Sequence, residues 1–229
     1  MSICLQMCNK CALPCAIASS PSRKFFVYLT ICPRYPMLLQ EKAVSLQLVM
    51  NDFTAELAKL HQLTGAEFSR QVERIALRKE FHPLETDENI YSVGGEKSDD
   101  YQNLLTAARK AVEFGYKVYM LPNPRETRTA DFIFEKKRTY RMYDLKTAFG
   151  KASIGQNLLD SIGQCNRVLI NMTTGYNTRS LAFAIKKYFE VNSKAVEVLI
   201  FKGRKRISID RFIATNDDFF SIFKKSYER

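Results

Sequence analysis

An α/β fold, with a central mixed β-sheet flanked by helices and a helical appendage at the amino end, follows from three observations on the sequence. Beyond residue 98, short runs rich in Val, Ile, Phe and Tyr alternate with segments whose apolar residues recur every three to four positions. Glycines and charged turns mark the changes of period, at Gly115, Lys136-Lys137-Arg138 and Gly203. Between residues 52 and 76 the spacing is helical alone. Mixed layers around one sheet are how such elements bury their apolar faces together.

Residues 1–49 differ in character from the rest. Of the six cysteines, Cys4, Cys8, Cys11 and Cys15 crowd together, with Cys32 further on and Cys165 distant. The Cys-x3-Cys-x2-Cys string invites a metal or iron–sulfur reading. No glycine-rich partner segment or barrel pattern accompanies it, so the expectation is a disordered leader, or sequence ahead of a true start at Met50. Phe25 to Cys32 is apolar but too short to cross a membrane, and Pro33 interrupts it. No clear secretory cleavage site follows. The expectation is a cytoplasmic chain with no membrane partner.

Residues 50–98 read as a helical appendage and linker. Phe53, Leu57 and Leu60 recur at helical spacing, and Phe68, Val72 and Ile75 repeat the pattern. Packing on the remainder of the chain, a homodimer through these helices, and a contact with RNA are all open uses of that stripe. The stretch from Phe81 to Ser98, with Pro83, Gly94, Gly95 and several acids, reads as a linker and places a boundary near residue 98.

Residues 99–229 read as αβββαβαββα. A helix from Asp100 to Phe114 stops at Gly115, a residue type suited to the left-handed position after a helix. Strands follow near Lys117 to Leu121, Asp131 to Glu135 and Thr139 to Lys146. Ile154, Leu158 and Ile162 mark a helix, and Arg167 to Asn171 a strand. Thr178 to Glu190 is a helix with Leu181, Ile185 and Tyr188 as its stripe. Val196 to Lys202 and Arg206 to Asp210 form a hairpin turning at Gly203, and a last helix buries Phe219, Ile222 and Phe223.

The chemistry concentrates in the second and third of these strands. Residues two apart share a face of a strand, so Asp144 and Lys146 point together and Leu145 points away. A hairpin that brings Asp131 beside Asp144 would build a site for a hard divalent ion, with Mg²⁺ favoured and Mn²⁺ or Zn²⁺ as alternatives. Two carboxylates leave coordination positions for water and a phosphate oxygen. A neighbouring lysine orients the attacking water and offsets charge that accumulates on phosphorus-bound oxygens. An ion pair on an edge strand is the plainer account of Asp-x-Lys.

Charge points the same way. The formal net charge is +11, and it is uneven: residues 1–100 carry 11 Lys+Arg against 12 Asp+Glu, and residues 101–229 carry 24 against 12. Such an excess favours a polyanion partner. Arg125 and Arg128, then Lys136, Lys137 and Arg138, then Lys202, Arg204, Lys205 and Arg206 lie in turns or at strand edges, as phosphate contacts do. Edge lysines also serve simply to discourage sheet-to-sheet association. Tyr116, Tyr140, Tyr143 and Tyr176 are candidates for stacking on bases. The two histidines, His61 and His82, both precede residue 99. A ribonuclease or HNH-type site built on histidine is therefore excluded from residues 99–229.

Four stretches carry a resemblance: Gly115-Tyr116-Lys117-Val118-Tyr119-Met120-Leu121-Pro122, Ala130-Asp131-Phe132-Ile133, Asp144-Leu145-Lys146, and Gln164-Cys165-Asn166-Arg167-Val168-Leu169-Ile170-Asn171. In that order and spacing, residues from about Asp99 to Met172 resemble the PD-(D/E)XK nuclease superfamily, and more narrowly the C-terminal tRNA nuclease domains of contact-dependent growth inhibition toxins. The resemblance implies a restriction-endonuclease-like core in which Asp131 and Asp144 hold the metal and Lys146 is the catalytic lysine. It implies a site-supporting role for Gln164, whose other reading is an amide closing a helix end. It also implies a third acid from the preceding helix. Asp99, Asp100 and Glu113 are the candidates, Asp100 ranking first, although Asp100 equally suits a helix N-cap. Ala130 stands where the superfamily has proline. The implied substrate is RNA, with tRNA favoured. DNA cleavage by the same type of site, or nucleic-acid binding without cleavage, are the alternatives. The implied protein partner is an immunity or inhibitor protein.

Overall fold

The computed structural model describes residues 52, 53, 55–57, 59, 60, 63–94, 100–122, 129–148 and 154–228. The cysteine string, Met50, Asp99, Arg125 and Arg128 lie outside them. The described residues between 52 and 60 are helical. The elements that follow are α1 (Gly65–Ala76), β1 (His82–Leu84), β2 (Asp87–Ser92), α2 (Tyr101–Glu113), β3 (Lys117–Met120), β4 (Phe132–Lys136), β5 (Thr139–Ala148), α3 (Ile154–Asp160), β6 (Arg167–Met172), α4 (Thr178–Val191), β7 (Glu197–Lys202), β8 (Lys205–Asp210), α5 (Arg211–Ala214) and α6 (Phe219–Glu228).

The strands form one eight-stranded mixed sheet whose spatial order is the chain order, β1 to β8. β2 and β3 are parallel, as are β5, β6 and β7. The β1/β2, β3/β4, β4/β5 and β7/β8 pairs are antiparallel. Helices cover both faces, and alternation along each strand decides what each face meets. Val118, Phe132, Phe134, Tyr143, Leu169, Leu199 and Phe201 face α2 and bury Leu105, Ala107, Ala108 and Ala111. On the opposite face, Tyr119, Ile133 and Met142 pack against Phe53, Leu57, Leu60, Val72 and Ile75. Farther along that face, Val168, Ile170, Val198 and Ile200 meet Ile154, Leu158, Leu181, Ile185, Phe219 and Phe223 from α3, α4 and α6.

Capping explains several boundaries. α2 ends at Gly115, whose φ of 77° is the left-handed value that costs glycine least. Gly115 N–H donates to Val112 O at 2.8 Å and Tyr116 N–H to Ala111 O at 3.1 Å, the paired bonds of a Schellman closure. Asn177 Oδ1 accepts from Ser180 N–H to start α4, and Asp210 Oδ1 accepts from Ile213 N–H to start α5. The β4–β5 hairpin turns on two residues of positive φ, Lys137 at 52° and Arg138 at 61°. This is the primed turn that matches strand twist, made here without its usual asparagine or glycine.

The structure departs from the sequence expectation in two places. Residues 82–92, read as linker, form β1 and β2 and extend the sheet. Their sequence hides this because Pro83 sits on an edge strand and only Ile90 of β2 is fully buried, while Asp87 faces out to Arg109 at 2.9 Å. The helical appendage read between residues 52 and 76 is helical in the structure as well. Packing on the remainder of the chain is the use the structure shows for its stripe, which is buried against Tyr119, Ile133 and Met142. α5 was not anticipated, being a single turn between β8 and α6. Arg78 secures the amino end, reaching Asp52, Glu56 and Glu80 at 2.7 to 2.9 Å and standing over the Phe53 ring. Among the described residues no helix is long and apolar enough to cross a membrane.

If α1 is integral to the core, Ile75→Ala will lower unfolding free energy by about 2–5 kcal/mol in urea titrations. An unchanged midpoint would mean that the helix folds independently of the sheet.

Candidate metal and phosphate site

The site begins with strand register. β4 and β5 pair Phe132 with Tyr143 and Ile133 with Met142. Continued by one position, that register sets Asp131 across from Asp144, on the same face. Asp131 stands just before the ladder. Its backbone N–H donates to Tyr143 O at 3.0 Å, and its carboxylate Oδ2 accepts the Leu145 N–H at 2.6 Å. The side chain thereby satisfies a β5 amide at the point where the β4 backbone has left the sheet. Two residues along β5, Lys146 shares the face of Asp144. Its ammonium stands 3.0 Å from Asp144 Oδ2 and 3.3 Å from Oδ1, and only the Oδ1 contact has hydrogen-bond geometry. Asp144 Oδ2 is left buried without a hydrogen-bond partner.

Electrostatics reflect the crowding. Burial, then the neighbouring Asp144 charge, raise Asp131 from the ordinary 3.8 to about 7, against the opposing effects of the Leu145 amide and Lys146. Burial raises Asp144 as well, and Lys146 opposes the rise. The two carboxyl groups are close enough to share a proton. Two carboxyl groups whose ionisation burial disfavours, with Lys146 as a close counter-charge, are the donor type a hard divalent ion takes, since an added cation would favour the ionised form of both. Asp131 and Asp144 would be the ligands. Among the described residues no third histidine, cysteine or acid completes a cluster with them.

The remaining candidates divide. Asp100 is not gathered to the pair: it is exposed at the start of α2 and accepts from Asn103 Nδ2. α2 covers the face opposite Asp144 and Lys146, which also keeps Glu113 away. Gln164 Nε2 donates to Asp160 O at 2.9 Å, so its amide closes the end of α3. Lys137 and Arg138 lie at the far end of β5, about 20 Å along the strand from Asp144 at ~3.4 Å per residue. Lys136 Nζ donates to Phe114 O at 2.6 Å, at the carboxyl end of α2, and Lys202 Nζ does the same for Tyr227 O at 2.9 Å in α6. Both cations complement helix dipoles. Arg204 is exposed in the β7–β8 turn, Lys205 is half-buried, and Arg206 bonds the Tyr116 hydroxyl at 2.6 Å. Tyr116 and Tyr143 are core residues and offer no ring to a base, while Tyr140 and Tyr176 are half-buried.

Sequence reading missed several polar groups that the fold buries nearby. Cys165 donates to Met142 O, and burial pushes its thiol up to about 11, with the Asp144 charge contributing. The Tyr188 hydroxyl is raised by burial and also feels Asp144. Thr129 Oγ1 is buried without a partner two residues before Asp131. The spacing of Thr129 from Asp131 was the only available signal, whereas Cys165 and Tyr188 reach the site by packing between separate elements.

No family model matches the sequence, and no curated protein sequence matches it. Among solved structures the chain is similar to the CdiA-CT/CdiI toxin and immunity complex from Burkholderia pseudomallei, with a TM-score of 0.39 and 12% identity, over 52% of this chain and 98% of that one. The site description rests on the geometry above.

A carboxyl group whose folded value exceeds its unfolded one favours the native state below the unfolded value and loses that advantage as pH climbs through the folded one. In metal-free solution the protein will therefore lose thermal stability as pH rises from about 4 to about 7. Asp131→Asn will flatten that part of the profile. A melting temperature that increases across the same window would contradict the crowded pair.

Proposed function

We propose that the chain is a divalent-metal-dependent nuclease that hydrolyses RNA phosphodiester bonds. The observation that carries this reading is the placement of Asp131, Asp144 and Lys146 on one face of the β4–β5 pair, with both acids raised and the ammonium alongside. Mg²⁺ is the favoured ion. When bound, it would supply Lewis-acid polarisation of a phosphoryl oxygen and a more acidic water. Asp131 and Asp144 would hold it, and the Leu145 amide fixes the orientation of Asp131. Lys146, anchored by Asp144, donates hydrogen bonds toward the substrate side, where its charge offsets that of the phosphate oxygens and its N–H groups orient a water. The choice of tRNA within RNA is supported by the resemblance of four sequence segments to toxin tRNA nucleases.

Incubation of total RNA and plasmid DNA in parallel with Mg²⁺, Mn²⁺ or Zn²⁺ tests the reading. Discrete tRNA fragments are expected from the wild type, and none with chelator or with Asp144→Asn. Lys146→Ala is expected to reduce kcat by about 10²–10³-fold in a protein that still unfolds cooperatively, at a lower temperature than the wild type because Asp144 loses its counter-charge. Cleavage of plasmid alone would transfer the assignment to DNA. A folded wild type that cuts neither substrate with any of the three ions would refute the enzymatic reading.

A further inference from the structure

The face of the sheet turned away from Asp144 carries a second concentration of charge, drawn from segments far apart in sequence. Lys136 ends β4, Arg141 lies on β5, Arg167 opens β6 and Arg206 lies on β8. By strand alternation all four project to the α2 side. Tyr116 ties two of them together: Arg206 Nη1 donates to its hydroxyl at 2.6 Å, and Lys136 Nζ stands 4.9 Å from its ring centroid. The β4–β5 and β7–β8 hairpins, separate basic clusters in the sequence, thus converge on one aromatic residue.

The acid in this group, Glu197, pairs with Arg141 and Arg167 and so offsets only part of the charge. Its carboxylate accepts the Tyr143 hydroxyl at 2.9 Å and the Ser208 hydroxyl at 2.6 Å. The two arginines beside it remain at longer range, Arg167 Nε at 3.5 Å and Arg141 Nη1 at 3.6 Å. Arg167 Nε is buried with no hydrogen-bond partner, and the Arg141 side chain is 46% exposed. A guanidinium has five N–H donors in a planar fork suited to phosphate, and hydroxyls have taken the positions on Glu197 that would otherwise have engaged them. Four cations on this face, two of them paired with one carboxylate whose oxygens also accept hydroxyls, leave a net positive charge, and Arg167 Nε keeps an unmet donor.

We propose that this face is a phosphodiester-backbone cradle, separate from the carboxylate pair, in which Arg141, Arg206, Lys136 and Arg167 bind a phosphate of a nucleic-acid strand. It rests on the reading that the substrate is a nucleic acid, but it requires neither the metal nor Lys146. Arg141 and Asp144 are three residues apart on β5 and face opposite ways, so the sheet separates the cradle from the bond to be cut. The cradle therefore holds a segment of the strand distant from that bond, and its loss weakens binding without slowing the chemical step.

Fluorescence anisotropy of a labelled single-stranded RNA, titrated with the full chain in chelator across a salt series, isolates binding from cleavage. Arg141→Gln/Arg206→Gln is expected to weaken binding roughly tenfold and to make the log–log salt slope shallower by about 1.4, the loss of two phosphate contacts. A control pair on α6, Lys224→Gln/Lys225→Gln, removes the same charge elsewhere and is expected to change the slope far less. Arg141→Lys/Arg206→Lys keeps the charge and is expected to retain most of the slope, and matching unfolding curves will verify that each variant is folded. Equal effects from the two Gln pairs, or tight binding by the Arg141/Arg206 Gln variant, would overturn the cradle, as would wild-type protein that binds no RNA. Wild-type binding in chelator with no cleavage in any metal would retain the cradle and reject the nuclease, so the two readings fail separately.

Discussion

Two like charges held on facing strands are the constraint around which this molecule is arranged. The β4–β5 register places Asp131 against Asp144, where burial disfavours ionisation of both and the Asp144 charge further disfavours that of Asp131. Lys146 relieves part of that cost and the Leu145 amide another part. The remainder is tolerated because the register is fixed elsewhere. Phe132, Phe134 and Tyr143 interlock on the α2 face, and Ile133 and Met142 on the other. Slipping by one residue would turn every one of these side chains to the wrong layer. The aromatic packing thus holds a polar arrangement that would not assemble alone, a common relation between a scaffold and the group it positions.

The positive charge of the chain serves more than one purpose, and only the structure separates them. Lys136, Lys202 and Arg211 place cations on carbonyls at the carboxyl ends of α2, α6 and α4. There they satisfy acceptors that helix geometry leaves open and oppose the dipole. Arg78 acts as an internal clasp among three acids. What remains for a polyanion is Arg141, Arg167 and Arg206 on the α2 face, the donors of Lys136 that Phe114 O does not use, and exposed turn residues such as Lys137, Arg138 and Arg204. A net charge read from composition therefore overstates the charge available to a partner.

Much of the fold was legible in the sequence because its strands and helices keep their own periods. The alternation around Phe132-Ile133-Phe134 and the stripe of Leu181, Ile185 and Tyr188 specify both element type and buried face. β1 and β2 were hidden because an edge hairpin needs few apolar residues. Asp131, Asp144 and Lys146 could be named as a set since two of them share one strand and the third lies on its hairpin partner. Asp100 and Gln164 kept two readings for a common reason: both are polar residues at helix ends, where a helix-end contact and a ligand look alike in one dimension, and in the structure Asp100 accepts from Asn103 and Gln164 donates to Asp160 O. Arg141, Arg167 and Glu197 drew no attention because their meeting depends on parallel pairing of β5, β6 and β7, which sequence spacing does not reveal.

Spatial neighbours in the sheet are also neighbours along the chain, from the first strand to the eighth. Every strand as it leaves the ribosome finds its template already made, and no gap must be held open for a later segment. Loop closures stay short and their entropy cost stays low. The pairing that brings Asp131 to Asp144 needs no residue beyond β5, so the crowded acids belong to a hairpin whose closure is local, and the helices that enclose it pack on a pairing that contact order alone makes cheap.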